Sequence, residues 1–391
     1  MILYFNHQYI DHPTVQNLLQ QTNSDVLQKL LNFRLYDRAT ASFYNRKGTN
    51  FLPTKYNIEN LPGFGMPDVD PNFNHSWEQV SDQRCVELRK THFDRPWTVM
   101  WSGGIDSTVI MASIIKNLAT ADYQNITVAC SAMSIWENPQ FYFNYIKPNF
   151  KTVHSEWAIS KEAIDQEVYM IDGEPADQLF GGMGVAPDLI FQDASVMKKN
   201  IRTHKDDAIN FLSRNTDRKF AEWYYNVVIT NAGSAGVEIN TLHDMIWWIA
   251  FNHTWTSVKF RFLHFGHWKN IKNAGFFLDK FIHWFDSNNY QAWALHNQIT
   301  DQKINQTAAE YKLAAKKYIY SLDQNKYYYT YKTKTASGDI SHLNRKPLPD
   351  WASNKWFRPS PWCCIDQDLN LLNFELHTEQ IKKQLIDHFL F

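Results

Sequence analysis

The sequence predicts an α/β fold built on a parallel sheet, followed by a mostly helical, aromatic-rich C-terminal part. Three observations predict it. Short apolar bursts alternate with helix-like runs between residues 97 and 171. A glycine-rich turn, Ser102 to Ser107, joins the first burst to a run at helical spacing. Beyond about residue 205 the pattern becomes helical and aromatic, as in Leu242 to Phe251 and Thr307 to Leu322.

Taken in order, residues 1–75 form an N-terminal segment with no assigned role. It holds a helical pattern around Val15 to Phe33 and a stretch rich in Asn, Pro and Gly from Asn45 to Asn74. Ser76 then reads as an N-cap, with Gln79 three places on as in a capping box, opening an amphipathic helix to about Lys90. After Pro96 come the bursts Trp97 to Trp101, Ile126 to Cys130, Lys151 to His154 and Glu167 to Ile171, with a helix over Gln140 to Ile146. Residues 76–204 are thus the expected α/β core and residues 205–391 the helical C-terminal part. Ligands of such sheets lie beyond the carboxyl ends of the strands, where both Ser102–Ser107 and the Gly173 turn fall.

Composition bounds the function. With 391 residues, 44% hydrophobic and 20% charged, the chain has the balance of a globular protein with ample core. Aromatics at 15% favour a large, ring-packed interior over a stacking surface for ligands. A net charge of −1 does not indicate nucleic acid as a partner. The four cysteines, Cys85, Cys130 and the adjacent Cys363 and Cys364, show neither a disulfide framework nor zinc spacing. The apolar run at the N-terminus is too short for a signal peptide, and no run is long enough to span a membrane, so a cytoplasmic protein is expected.

The turn Ser102-Gly103-Gly104-Ile105-Asp106-Ser107 carries the chemistry. Its glycines let backbone approach a polyanion, and the helix start offers N–H groups and a positive dipole end. Ser102 and Ser107 add hydroxyl donors. Asp106 would repel phosphate directly but suits Mg²⁺. No Gly-Lys-Ser/Thr follows, so this is not a Walker loop. The loop resembles that of the ATP-pyrophosphatase (PP-loop) superfamily, which includes asparagine, β-lactam and GMP synthetases and tRNA-modifying ligases. The resemblance implies an adenine nucleotide alpha hydrolase-like core and cleavage of ATP between its α and β phosphates.

A second segment, Asp172-Gly173-Glu174-Pro175-Ala176-Asp177-Gln178-Leu179-Phe180-Gly181-Gly182, is similar to the second signature of asparagine synthetases. That resemblance implies Asp177 as a second Mg²⁺ carboxylate beside Asp106, Glu174 as the acid/base near the attacking amine, and Gly173 at the nucleotide. Cys130, at a strand end, is expected near the adenine. Thr152 to Glu156 and Ser76 to Leu88 resemble further family segments. Lys334 matches the family's pyrophosphate-binding lysine, with Lys332 the competing choice. The likeness spans residues 76–191 and, loosely, 240–340.

There are departures. Ile2 stands where the family's glutaminase nucleophile would be, and only 101 residues precede Ser102, so no glutaminase domain is expected. Pro175 replaces a glycine and Gln178 an acid. Only about 20 residues separate His154 from Glu174, and Ala274 stands where an arginine precedes the Phe276-Phe277-Leu278-Asp279 segment. The last departure argues against aspartate as substrate. The expectation is an amide-forming ligase using ATP and Mg²⁺. It would make an acyl-adenylate from a small-molecule carboxylate, and the nitrogen would come from an amine, free ammonia or a separate glutaminase. Adenylation of a nucleobase or tRNA, and a nucleotide-binding regulator without catalysis, are the alternatives. His264 and His267 read as ordinary histidines, Cys363-Cys364 as packing residues, and Lys312, Lys316 and Lys317 as a solvated helix face.

Overall fold

The structure is a computed structural model, and it describes residues 46, 65–181, 198–213, 218–253, 255–259, 262, 267, 274–296 and 311–332. Contacts divide the chain into two compact units. One takes Met1–Asn74, Glu174–Phe262 and Ser287–Ile304; the other takes His75–Gly173, Leu263–Asp286 and Asn305–Phe391.

The second of these holds a five-stranded sheet, all parallel, in the order β3-β2-β1-β4-β5. Its strands are β1 (Trp97–Met100), β2 (Ile126–Cys130), β3 (Lys151–His154), β4 (Tyr169–Asp172) and β5 (Phe281–His283). The first four lie at the apolar bursts. β5 departs from the pattern: it is three residues long and set in a run of aromatics that reads as helix. In register, Val99 stands between Val128 and Ile171, all three fully buried. Such continuous burial is what a parallel sheet covered on both faces requires.

The helices of this unit begin with α1 (Trp77–Thr91), whose Ser76 Oγ accepts from Gln79 N at 3.2 Å while Gln79 Oε1 accepts from Ser76 N at 2.8 Å. The capping box read from the sequence is therefore formed. Helix α2 (Ile105–Asn117) buries Ile105 and every residue from Ser107 to Ile114. Burial of that kind gives about 1.5–3 kcal/mol for each large apolar side chain. It packs against α1 and against α6 (Leu313–Asp323). Between them in sequence lie α3 (Ala132–Glu137), α4 (Lys161–Asp165) and α5 (Ala274–Lys280), and α7 (Lys326–Tyr331) follows. The helix expected over Gln140 to Ile146 is a short turn, Pro139–Phe141, capped by Asn138 and continued as a π-helical turn, Tyr142–Ile146.

The other unit is helical among its described residues, with helices at Ala176–Leu179, Lys205–Leu212, Arg218–Ser234, Leu242–Trp248, Trp255–Lys259 and Asn288–His296. Its centre is aromatic. Trp247 stacks on Phe251 with ring centres 5.1 Å apart, and the Arg46 guanidinium lies 4.1 Å above the Trp255 ring. Trp247, Trp248 and Trp255 here, like Trp97, Trp101 and Trp284 in the sheet-bearing unit, are fully buried, so these rings serve as core. No helix among the described residues is long and apolar enough to cross a membrane.

Candidate functional site

Strand order reverses between β1 and β4: the chain steps from β1 to β2 and β3 on one side, and β4 and β5 lie on the other. A crevice at the carboxyl ends of the strands forms at such a switch point. The Ser102–Ser107 turn leaves β1 there, and Gly173 leaves β4 beside it. A Cβ added to Gly173 would stand 3.3 Å from Asp106 Cβ and 3.6 Å from Ser107 N, so the close approach of the two turns depends on glycine.

Within the turn, Gly103 has φ of 75°, and a Cβ there would lie 2.1 Å from the backbone oxygen of Ser134. Both conformation and space therefore demand glycine. Ser107 Oγ accepts from Ser102 N at 3.0 Å and lies 3.0 Å from Ser102 Oγ, while Ser102 Oγ accepts from Gly104 N at 3.3 Å. The two serines thus fold the loop onto the start of α2. Gly104 is the N-cap of α2 and supplies no side-chain cap, so the dipole end and first-turn N–H groups are not covered by a capping side chain.

The structure adds cations that sequence reasoning placed elsewhere. Lys312, expected on a solvated face, is 2% exposed, and its Nζ lies 2.5 and 2.6 Å from the two carboxylate oxygens of Asp106. Lys316 is fully buried, and burial together with the charge of Lys332 pushes its ammonium down to about 7. Of the three, Lys317 is the exposed one. The physical reason is that Lys312 and Lys316 end on oxygens of the protein, the Asp106 carboxylate and the Lys332 backbone (3.5 Å), rather than in water. Lys332 itself is 1% exposed and pairs with Glu137, and Tyr328 donates its hydroxyl to Gly103 O at 3.0 Å.

Ser102, Gly103, Gly104, Asp106, Ser107 and Gly173 are therefore brought together. Cys130, the last residue of β2, is buried, and burial pushes its thiol up to about 12. Glu174 and Asp177 belong to the helical unit. There Glu174 precedes Pro175 across a cis bond, and Asp177 sits in the first turn of Ala176–Leu179. Gly181, with φ of 95°, packs at Trp247, whose Nε1 donates to Leu179 O at 3.2 Å. Lys334, His264 and the Cys363-Cys364 pair lie outside the described residues.

Sequence reasoning missed a second buried pair. Asp172 and His283, partners in the β4–β5 register, share a hydrogen bond of 2.8 Å between Oδ1 and Nδ1, with side chains 4% and 3% exposed. The signal, a histidine in an aromatic run, is unreadable until β5 is known. For a metal, the donors at the turn are one carboxylate and two hydroxyls, all oxygen. That chemistry suits a hard cation such as Mg²⁺ shared with phosphate. Comparison with family models finds no match for this chain, and comparison with curated proteins and with solved structures finds none either.

Proposed function

We propose that the chain is an ATP-dependent ligase of the asparagine synthetase type, with a PP-loop core and a helical, aromatic-rich C-terminal part. In this reading it activates a substrate carboxylate as an acyl-adenylate. The observation that carries the proposal is the Ser102–Ser107 turn: a left-handed glycine, two hydroxyls and an uncapped helix start, set at the switch point of a parallel sheet.

The backbone N–H groups of the turn and the hydroxyls of Ser102 and Ser107 would bind the phosphates and hold them in line for attack by the carboxylate. Pyrophosphate leaves from the α-phosphate, and an amine or ammonia then displaces AMP. Asp106 would hold Mg²⁺, which when bound offsets the negative charge of the leaving pyrophosphate. Lys312, drawn in on Asp106, adds a fixed positive charge at the same turn. Glu174 would take the proton of the attacking amine, and Lys334 or Lys332 would meet the pyrophosphate.

Pyrophosphate exchange into ATP, measured across a panel of carboxylic acids, tests this reading. Exchange that requires one acid, with AMP released on adding ammonia, supports it. In the Glu174→Gln protein, ATP affinity and exchange should persist while amide formation falls about 10²-fold or more. A second reading, nucleotide binding without turnover, draws on Gln178, which is buried where the resemblance expects an acid. It predicts ATP binding with no exchange and no AMP from any acid.

A further inference from the structure

Glu137 closes α3 directly behind the phosphate turn. A Cβ added to Gly103 would lie 2.8 Å from Glu137 Cβ, and one added to Gly104 would lie 3.9 Å from Glu137 Oε1. That same Oε1 pairs with Lys332 Nζ, and both side chains are 1% exposed. Lys332 follows α7, which also supplies the Tyr328 hydroxyl bound to Gly103 O at 3.0 Å. Lys316, reaching the Lys332 backbone oxygen at 3.5 Å, completes the buried group.

A fully buried ion pair is a poor source of stability, because desolvating two charges offsets their attraction, and apolar residues of like size do as well. Stability therefore gives no reason to bury this pair, least of all behind two glycines. What its position does supply is an ordered cation beside the backbone that would receive a polyanion, with no reorganisation left to perform.

We propose that Glu137 is the positioning residue of the phosphate turn: its carboxylate fixes Lys332 behind Gly103 and Gly104, ready for the charge of ATP or pyrophosphate. This rests on the nucleotide reading above. It gives Glu137 a role that acts through Lys332 and the turn.

The test uses the full chain, with affinities for Mg-ATP and Mg-pyrophosphate by calorimetry and stability by urea unfolding. Glu137→Gln keeps the side chain's shape and should weaken both ligands at least 10-fold. Lys332→Met should weaken them to a similar degree. The double variant Glu137→Leu with Lys332→Met should be at least as stable as Glu137→Gln, yet bind no better than Lys332→Met alone. Lys332→Arg, which keeps the charge on Glu137, should stay within a few-fold of wild type. If the double variant binds both ligands with wild-type affinity, the pair is only structural and the proposal is overturned. If the wild-type protein binds neither ligand, the nucleotide reading fails and takes this proposal with it.

Discussion

The Nζ of Lys312 lies 2.5 and 2.6 Å from the two carboxylate oxygens of Asp106, a residue 206 positions away in sequence. The lysine is 2% exposed and the aspartate side chain 28%. The asymmetry predicts an asymmetric cost. Asp106→Asn takes the anion from a buried ammonium and should destabilise by about 3 kcal/mol. Lys312→Met leaves a carboxylate that water can reach and should cost about 1 kcal/mol. Urea unfolding of the two variants measures the difference; equal costs would mean that the pair is not held as described.

Gly103→Ala and Gly104→Ala should part company. At Gly103 the new Cβ meets the Ser134 backbone oxygen at 2.1 Å and φ is 75°, so the turn must move. At Gly104 the nearest atom, Ser102 Oγ at 3.2 Å, is on a side chain that can rotate. Gly103→Ala should lower stability by about 2 kcal/mol or more and abolish ATP binding. Gly104→Ala should fold normally. Thermal unfolding and ATP-analogue titration on both proteins check the contrast.

This division shows how far the sequence could be read. Trp97–Met100 and Ile126–Cys130 were legible because Pro96 and Asn125 interrupt the chain just before short, mostly apolar runs, and Ser76 with Gln79 announced α1. Glycines at 103 and 104 stood out because an adjacent pair directly after a strand leaves backbone bare of side chains. Lys312 and Lys316 were not legible, since spacing of four puts lysines on one helix face without saying what that face meets. The Asp172–His283 pair was hidden for a similar reason. It exists only through the register of β4 with a three-residue strand, and no local pattern records a partner 111 residues away.

That pair makes its own prediction. His283→Phe removes a hydrogen-bonding partner from a carboxyl group whose side chain is 4% exposed, and should cost about 3 kcal/mol. Adding Asp172→Leu should recover most of the loss, because two apolar groups replace a broken pair. Urea unfolding of the single and double variants is the measurement; a double variant no more stable than the single would contradict it.

Lys316 predicts a pH dependence. Its ammonium is pushed down to about 7 in the folded chain by burial and the charge of Lys332, against 10.5 ordinarily. Between these values the unfolded chain binds the extra proton, so stability rises with pH, and the full cost is present below about 7. Lys316→Met should remove that slope. Relative to the variant, the wild type should gain about 2 kcal/mol between pH 7 and pH 9. Parallel stability curves for the two proteins over that range would show Lys316 to be ordinarily charged.

The central claim is that the Ser102–Ser107 turn receives the phosphates of ATP, and amide hydrogen exchange with and without Mg-ATP tests it most directly. The account predicts slowed exchange at the N–H groups of residues 103–108, where the turn enters α2. That protection should be absent in Gly103→Ala. Binding of Mg-ATP that protects other segments and leaves this turn unchanged would contradict it.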